Sequence, residues 1–172
     1  MKTLIATMLC TTVAALLSTS ASATTVNHQE VVNAAGVCSA AFSNQTVRNR
    51  PTGVRNTGTS AIYVTCSIPG DFSGATSDEV YLRVANFGTS SQPINCNFQP
   101  GYSNGVTNTT SQGSFSGGAT VAANDFAYLY FYSVDYPSTS STGFYNANFT
   151  CLLQPNTELQ YIGRYYDESV NG

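Results

Sequence analysis

The residues of this chain best suited to chemistry are aromatic. From Asp125 to Tyr132 the sequence reads Asp-Phe-Ala-Tyr-Leu-Tyr-Phe-Tyr. In an extended strand Phe126, Tyr128, Tyr130 and Tyr132 share one face, and Ala127, Leu129 and Phe131 share the other. Aromatic faces stack on sugar rings, and a tyrosine hydroxyl adds a polar contact. Tyr102, Tyr136 and Tyr145 stand at the ends of neighbouring polar loops. The candidate ligand-binding residues are therefore Tyr102, Tyr128, Tyr130, Tyr132, Tyr136 and Tyr145, with carbohydrate or a surface protein as partner. The competing role is sheet stabilisation, because cross-strand aromatics stabilise a sheet without any ligand. Tyr161, Tyr165 and Tyr166, in the last strand, are open to the same two roles.

Catalysis finds less to work with. A hydrolase triad needs a base beside its nucleophile. The only histidine, His28, stands in a polar N-terminal segment and reads as a solvated tail residue. A carboxylate pair for glycoside hydrolysis would come from Asp78, Glu79, Asp125, Asp135, Glu158, Asp167 or Glu168. These acids sit beside turns and strand ends, and Asp78 and Glu79 point to opposite faces of a strand. No calcium-loop motif occurs, and no CxxC pair suggests zinc. We assign no catalytic residue, no metal site and no cofactor.

The chain opens with Met1-Lys2, an uncharged apolar run to Leu17, and Ser18-Thr19-Ser20-Ala21-Ser22-Ala23. Ala21 and Ala23 fit the small-x-small pattern of a signal-peptidase site, so residues 1–23 read as a cleaved signal peptide. Cys10 leaves with it. A spanning helix wants about 20 apolar residues, and this run is shorter. The expected location is exported, periplasmic or extracellular, with no membrane span.

Lys2 is the only lysine, so the mature chain keeps five arginines against nine acids. Such a chain lacks the basic footprint of a nucleic-acid binder. Four cysteines remain: Cys38, Cys66, Cys96 and Cys151. An even number in an exported chain reads as disulfides, and four allow three pairings. We favour Cys38–Cys66 and Cys96–Cys151, because each pair joins a two-strand neighbourhood.

The elements that must position these residues are strands. Apolar residues recur every second position: Ile62, Val64, Cys66 and Ile68; Val80, Leu82 and Val84, alternating with Tyr81 and Arg83; Ile94, Cys96 and Phe98, alternating with Asn95 and Asn97; and Tyr145, Ala147, Phe149, Cys151 and Leu153, alternating with Asn146, Asn148, Thr150 and Leu152. Turn signals such as Asn56-Thr57-Gly58 and Pro155-Asn156 separate them. No helical stretch worth naming is expected after Ala23. The fold class is all-β: a single-domain antiparallel β-sandwich or jelly roll of about nine or ten strands, stapled by two disulfides. The domain spans 36–172, and 24–35 reads as a loosely ordered N-terminal segment. The Asp125–Tyr132 strand and the strand after Tyr145 are expected to pair as a hairpin. No internal repeat is expected.

Two blocks resemble a group of uncharacterised small exported bacterial proteins. One runs from Val47-Arg48-Asn49-Arg50-Pro51 through Asn56-Thr57-Gly58-Thr59 to Cys66-Ser67-Ile68. The other runs from Cys151 to Val170, where Gln154 and Asn156 depart from the group's Leu-Pro-Pro-Gly-Thr turn. The resemblance implies export, disulfides and a β-fold. It carries over no functional residue.

The sequence thus points to a non-enzymatic exported binding or surface-interaction module. Two alternatives accompany it: a pilin-like subunit of a surface fibre, with 24–35 as an exchanged strand, and a hydrolase with a carboxylate pair.

Overall fold

Each apolar alternation in the sequence becomes a strand with its apolar side turned inward. Val64, Cys66 and Ile68, then Val80, Leu82 and Val84, then Ile94, Cys96 and Phe98 are all buried. The computed structural model describes residues 24–68, 77–101, 112–139 and 143–170. Residues 1–23, read above as a signal peptide, and Tyr102 lie outside them.

Among the described residues the strands are β1 (Thr24–Asn33), β2 (Cys38–Ala40), β3 (Arg48–Arg50), β4 (Gly53–Arg55), β5 (Ile62–Ile68), β6 (Ser77–Asn86), β7 (Gln92–Phe98), β8 (Phe115–Val121), β9 (Asp125–Tyr132), β10 (Ala147–Leu153) and β11 (Thr157–Val170). A four-residue helix, α1 (Ala34–Val37), and a 3₁₀ turn at Ser133–Asp135 complete them. One sheet runs β3-β4-β11-β6-β9, with β1 also paired to β11, and the other runs β2-β5-β10-β7-β8. From β4 to β11 the chain changes sheet at every step except β7 to β8, which pair as neighbours, and this is the order of a jelly roll, one of the two arrangements expected. The core lies between the sheets. Phe98 is fully buried there, 4.9, 4.8 and 4.7 Å from the rings of Phe131, Phe144 and Phe149.

Both disulfides lie in the five-stranded sheet. Cys38–Cys66 joins directly opposed residues of β2 and β5, and Cys96–Cys151 does the same for β7 and β10. Disulfides belong to an oxidising compartment. No helix among the described residues is long and apolar enough to cross a membrane.

Three sequence expectations need correction. Residues 24–35 are not loosely held: β1 pairs with β11 over ten residues. Its alternation is broken because Glu30 faces inward, where it meets the buried Arg164, Nε to Oε2 at 2.6 Å. Strands β9 and β10 do not form a hairpin. Strand β9 pairs with β6 and β10 lies in the opposite sheet, so the loop between them crosses the sandwich.

An internal repeat also exists. Val54-Arg55-Asn56-Thr57-Gly58-Thr59-Ser60 and Val84-Ala85-Asn86-Phe87-Gly88-Thr89-Ser90 carry the same Val-x-Asn-x-Gly-Thr-Ser pattern. Each leads out of the six-stranded sheet into a strand of the other sheet holding a bridged cysteine, Cys66 or Cys96.

Candidate functional site

The outer side of the six-stranded sheet is a tyrosine face. Its centre is Tyr81, on β6, whose ring packs against Gly163 of β11. A Cβ on Gly163 would fall 2.1 Å from Tyr81 Cζ, so only glycine accepts the ring there. Packed in this way, Tyr81 is only 6% exposed despite its outward position. Around it stand Tyr128 and Tyr130 of β9 and Tyr161 and Tyr165 of β11, all with ring centroids within 5.8–6.3 Å of its own. The register produces this cluster. Tyr130, Tyr81 and Gly163 lie side by side across three strands, and Tyr128, Arg83 and Tyr161 form the next row. Along β9 the rings of Tyr128, Tyr130 and Tyr132 follow at 5.8 and 6.0 Å, each pair near parallel.

Polar contacts fix the rings. Gln29 Nε2, from β1, donates to the hydroxyls of Tyr81 at 2.7 Å and Tyr165 at 2.8 Å. The hydroxyls of Tyr128 and Tyr161 lie 2.9 Å apart. Arg83 lies over Phe126, 4.1 Å from its centroid, and faces Tyr161 at 5.7 Å.

Three phenols on this face, those of Tyr161, Tyr81 and Tyr132, resist ionisation. Burial first, then the hydrogen bond to Tyr128, push Tyr161 up to about 12, partly offset by Arg83. Burial, with neighbouring phenols and Glu79, also raises Tyr81 and Tyr132. Glu79, between them, is raised by burial. These three phenols therefore keep their protons and can donate as well as accept hydrogen bonds.

At one end the face runs into a recess of about 350 Å³ between Phe126 and Phe87, lined also by Arg83, Asp125 and Gln160. Arg83 Nε is buried and has no hydrogen-bond partner among the described residues. The recess thus pairs two rings with a guanidinium and a carboxylate.

Of the predicted tyrosines, Tyr128, Tyr130 and Tyr132 come together here. Tyr136 does not: the 3₁₀ turn after β9 folds it back, and its ring stacks 3.7 Å from Phe115 and packs against Phe144. Tyr145 stands beyond the bridge between Phe144 and Ser77, where its backbone N–H donates to Gln112. It belongs to the polar loop at the far end of the sandwich. Tyr81, Tyr161, Tyr165 and Gln29 complete the face. Tyr161 and Tyr165 are open to this role in the sequence, Tyr81 shows there only as an outward position of the β6 alternation, and Gln29 lies in the segment expected to be loosely ordered.

No protein-family model matches the chain, and no curated protein matches it either. Among solved structures the chain is similar to a carbohydrate-binding module, CBM36, in complex with calcium and xylotriose. That likeness has 14% identity and a TM-score of 0.37, over 77% of this chain and 97% of that one. A CBM4 structure is similar at 15% identity and a TM-score of 0.34, over 83% and 84%. A family 11 carbohydrate-binding module from Clostridium thermocellum, in complex with a mixed-linked tetrasaccharide, is similar at 10% identity and a TM-score of 0.33, over 87% and 90%. None of these likenesses assigns a ligand to this chain.

Of the candidate acids, Glu158 is placed for structure. Glu158 is fully buried and accepts from Arg55 Nε at 2.6 Å, and the guanidinium lies 3.4 Å from the centre of the Phe87 ring. Burial and the neighbouring Asp167 raise the carboxyl of Asp78, which is exposed at the start of β6. His28 is not a tail residue. It sits in β1, stacked 5.4 Å from Tyr166, with Nε2 3.2 Å from Glu168 Oε2. No nucleophile stands beside it in these contacts.

Proposed function

We propose that this protein is a non-catalytic carbohydrate-binding module that works through its tyrosine face. One observation carries the reading. Outward rings from β6, β9 and β11 form one continuous surface, and the hydroxyls of Tyr81, Tyr165, Tyr128 and Tyr161 are held by partners on the same sheet. Contiguous exposed rings rimmed by polar groups mark interaction sites. Rings offer the apolar faces of sugars a stacking surface, and hydroxyls match the sugar's own. Tyrosine dominates this surface, with aliphatic side chains such as Val31 at its margin. That composition favours a hydroxylated ligand over the aliphatic core of an obligate protein partner.

Two features support binding over exchange or catalysis. Strand β1, the segment a fibre subunit would donate, is paired within its own chain. The most buried candidate acid, Glu158, is committed to Arg55. A glycan array probed with the oxidised protein tests the proposal. Binding of one glycan class, lost on replacing Tyr128 and Tyr130 together, supports it. Binding of no glycan, or binding unchanged by that replacement, refutes it.

A further inference from the structure

The opposite side of the sandwich holds an open groove of about 730 Å³ on the outer face of the five-stranded sheet. We propose that this groove is a second, independent site that binds a neutral, unbranched oligosaccharide lying across the strands.

The groove has no charged lining residue. Its polar groups are the amides of Asn95, Asn97 and Gln99 and the hydroxyls of Ser116 and Thr150. A side-chain amide offers donors and an acceptor together, and a hydroxyl offers both on one atom. Sugar hydroxyls have the same double character. An ionic ligand would lose hydration here and meet no countercharge, which is costly. The hydrogen-bonding capacity is also largely unspent. Among the described residues, the Asn95 and Gln99 side chains and the Ser116 and Thr150 hydroxyls make no hydrogen bond to another group. Asn97 only accepts, from Ser114 Oγ at 2.6 Å.

The register arranges these groups in rows. Tyr63, Leu152, Asn95 and Gly118 lie side by side across β5, β10, β7 and β8, and Thr150, Asn97 and Ser116 form the neighbouring row. Three interstrand steps span about 14 Å, the length of a short oligosaccharide. One end of the first row supplies an apolar wall. Tyr63 is 42% exposed, with Phe42 set edge-on at 5.9 Å, and Leu152 is its neighbour. At the other end Gly118 leaves room for the Asn95 side chain. A Cβ there would fall 2.4 Å from Asn95 Oδ1 and 3.1 Å from the Ile94 carbonyl.

The floor is rigid, because the Cys96–Cys151 bridge joins its two central strands from beneath. A groove whose floor is set before binding loses less entropy when it is filled.

This site shares no strand with the tyrosine face. If both faces are occupied, one molecule grips two polymer segments, and avidity follows without any new contact.

The test is NMR titration of the oxidised protein with cellohexaose, xylohexaose and mannohexaose in turn, with hexagalacturonate as the anionic control. The expected result is that at least one neutral hexaose shifts the side-chain amide signals of Asn95, Asn97 and Gln99. Asn97→Ala and Tyr63→Ala should each weaken that titration at least fivefold, while Tyr128→Ala/Tyr130→Ala leaves it within twofold. Chemical shifts elsewhere in each variant report whether it is folded. The inference is overturned if none of the three moves these amides at millimolar concentration, if hexagalacturonate moves them as strongly, or if the Tyr128/Tyr130 variant abolishes the shifts. That last outcome would leave the tyrosine-face reading standing alone. Shifts in this groove with an inert tyrosine face would do the reverse.

Discussion

Asn56 and Asn86 hold the same buried corner at two places in the sandwich. Asn56 Nδ2 donates to the carbonyls of Ser60 and Leu153, both at 2.9 Å, while its Oδ1 accepts from the Gly58 N–H. Asn86 Nδ2 donates to Ser90 at 2.8 Å and Val121 at 3.0 Å, and its Oδ1 accepts from Gly88 N–H. Each amide closes its own turn and ties it to the end of a strand in the other sheet, β10 or β8. The turns that follow those strands also match, with Asn156 and Asn124 in the left-handed region at φ 62 and 55.

Replacing either corner asparagine by alanine removes these bonds and strands buried carbonyls. At about 1–3 kcal/mol per unsatisfied buried group, we expect Asn56→Ala and Asn86→Ala each to cost roughly 2–4 kcal/mol. Urea unfolding of the oxidised protein measures this. A loss under about 0.5 kcal/mol, the scale of an ordinary surface change, would show the corners to be incidental.

Glu158→Ala leaves the Arg55 guanidinium half-enclosed without its carboxylate. Breaking a buried pair from one side costs about 3–5 kcal/mol, with some relief here from the Phe87 ring beneath the guanidinium. The same unfolding assay reads the effect. Replacing both partners with apolar residues is expected to be much milder.

Tyr161 should ionise late. In a spectrophotometric titration one phenol is expected near pH 12, and Tyr128→Phe should bring it down by removing one of the groups that raise it. The sign for stability follows. The folded protein keeps this proton between about pH 10 and 12 while the unfolded chain loses it. Stability is therefore full below pH 10 and falls as pH climbs toward 12. A phenol count complete by pH 11 in wild type would contradict the packing described for the face.

Gly163→Ala should disrupt the tyrosine face while sparing the rest of the sandwich. The added methyl occupies the position of the Tyr81 ring, so Tyr81 must leave its hydrogen bond to Gln29. Near-ultraviolet circular dichroism should lose tyrosine intensity, with far-ultraviolet signal retained. An unchanged near-ultraviolet spectrum would count against Tyr81 as the centre of the cluster.

Much of the architecture was legible because burial imposes period two. The cysteines fell on the apolar phase of β5, β7 and β10, and that phase is the core side. What was hidden depended on partners distant in sequence. Strand β1 looked irregular because Glu30 answers Arg164, far along the chain. The β9–β10 loop has a length that suits a hairpin as well as a crossing between sheets. The corner repeat was split between a familiar motif at Asn56 and an unremarked turn at Asn86. Asn95, Asn97 and Thr150 stand only on the phase opposite the apolar one, and a concave surface built across several strands has no signature in any one of them. Tyr136 looked like its neighbours in β9 until the 3₁₀ turn reversed the direction of its side chain.

The central claim is that the tyrosine face binds carbohydrate. Its most direct test is a glycan array probed side by side with wild type and the Tyr128→Ala/Tyr130→Ala variant, both verified as folded and oxidised. The account predicts a defined set of glycans bound by wild type, with at least a tenfold loss of signal in the variant. Indistinguishable binding by the two proteins, or no glycan bound by either, would contradict it.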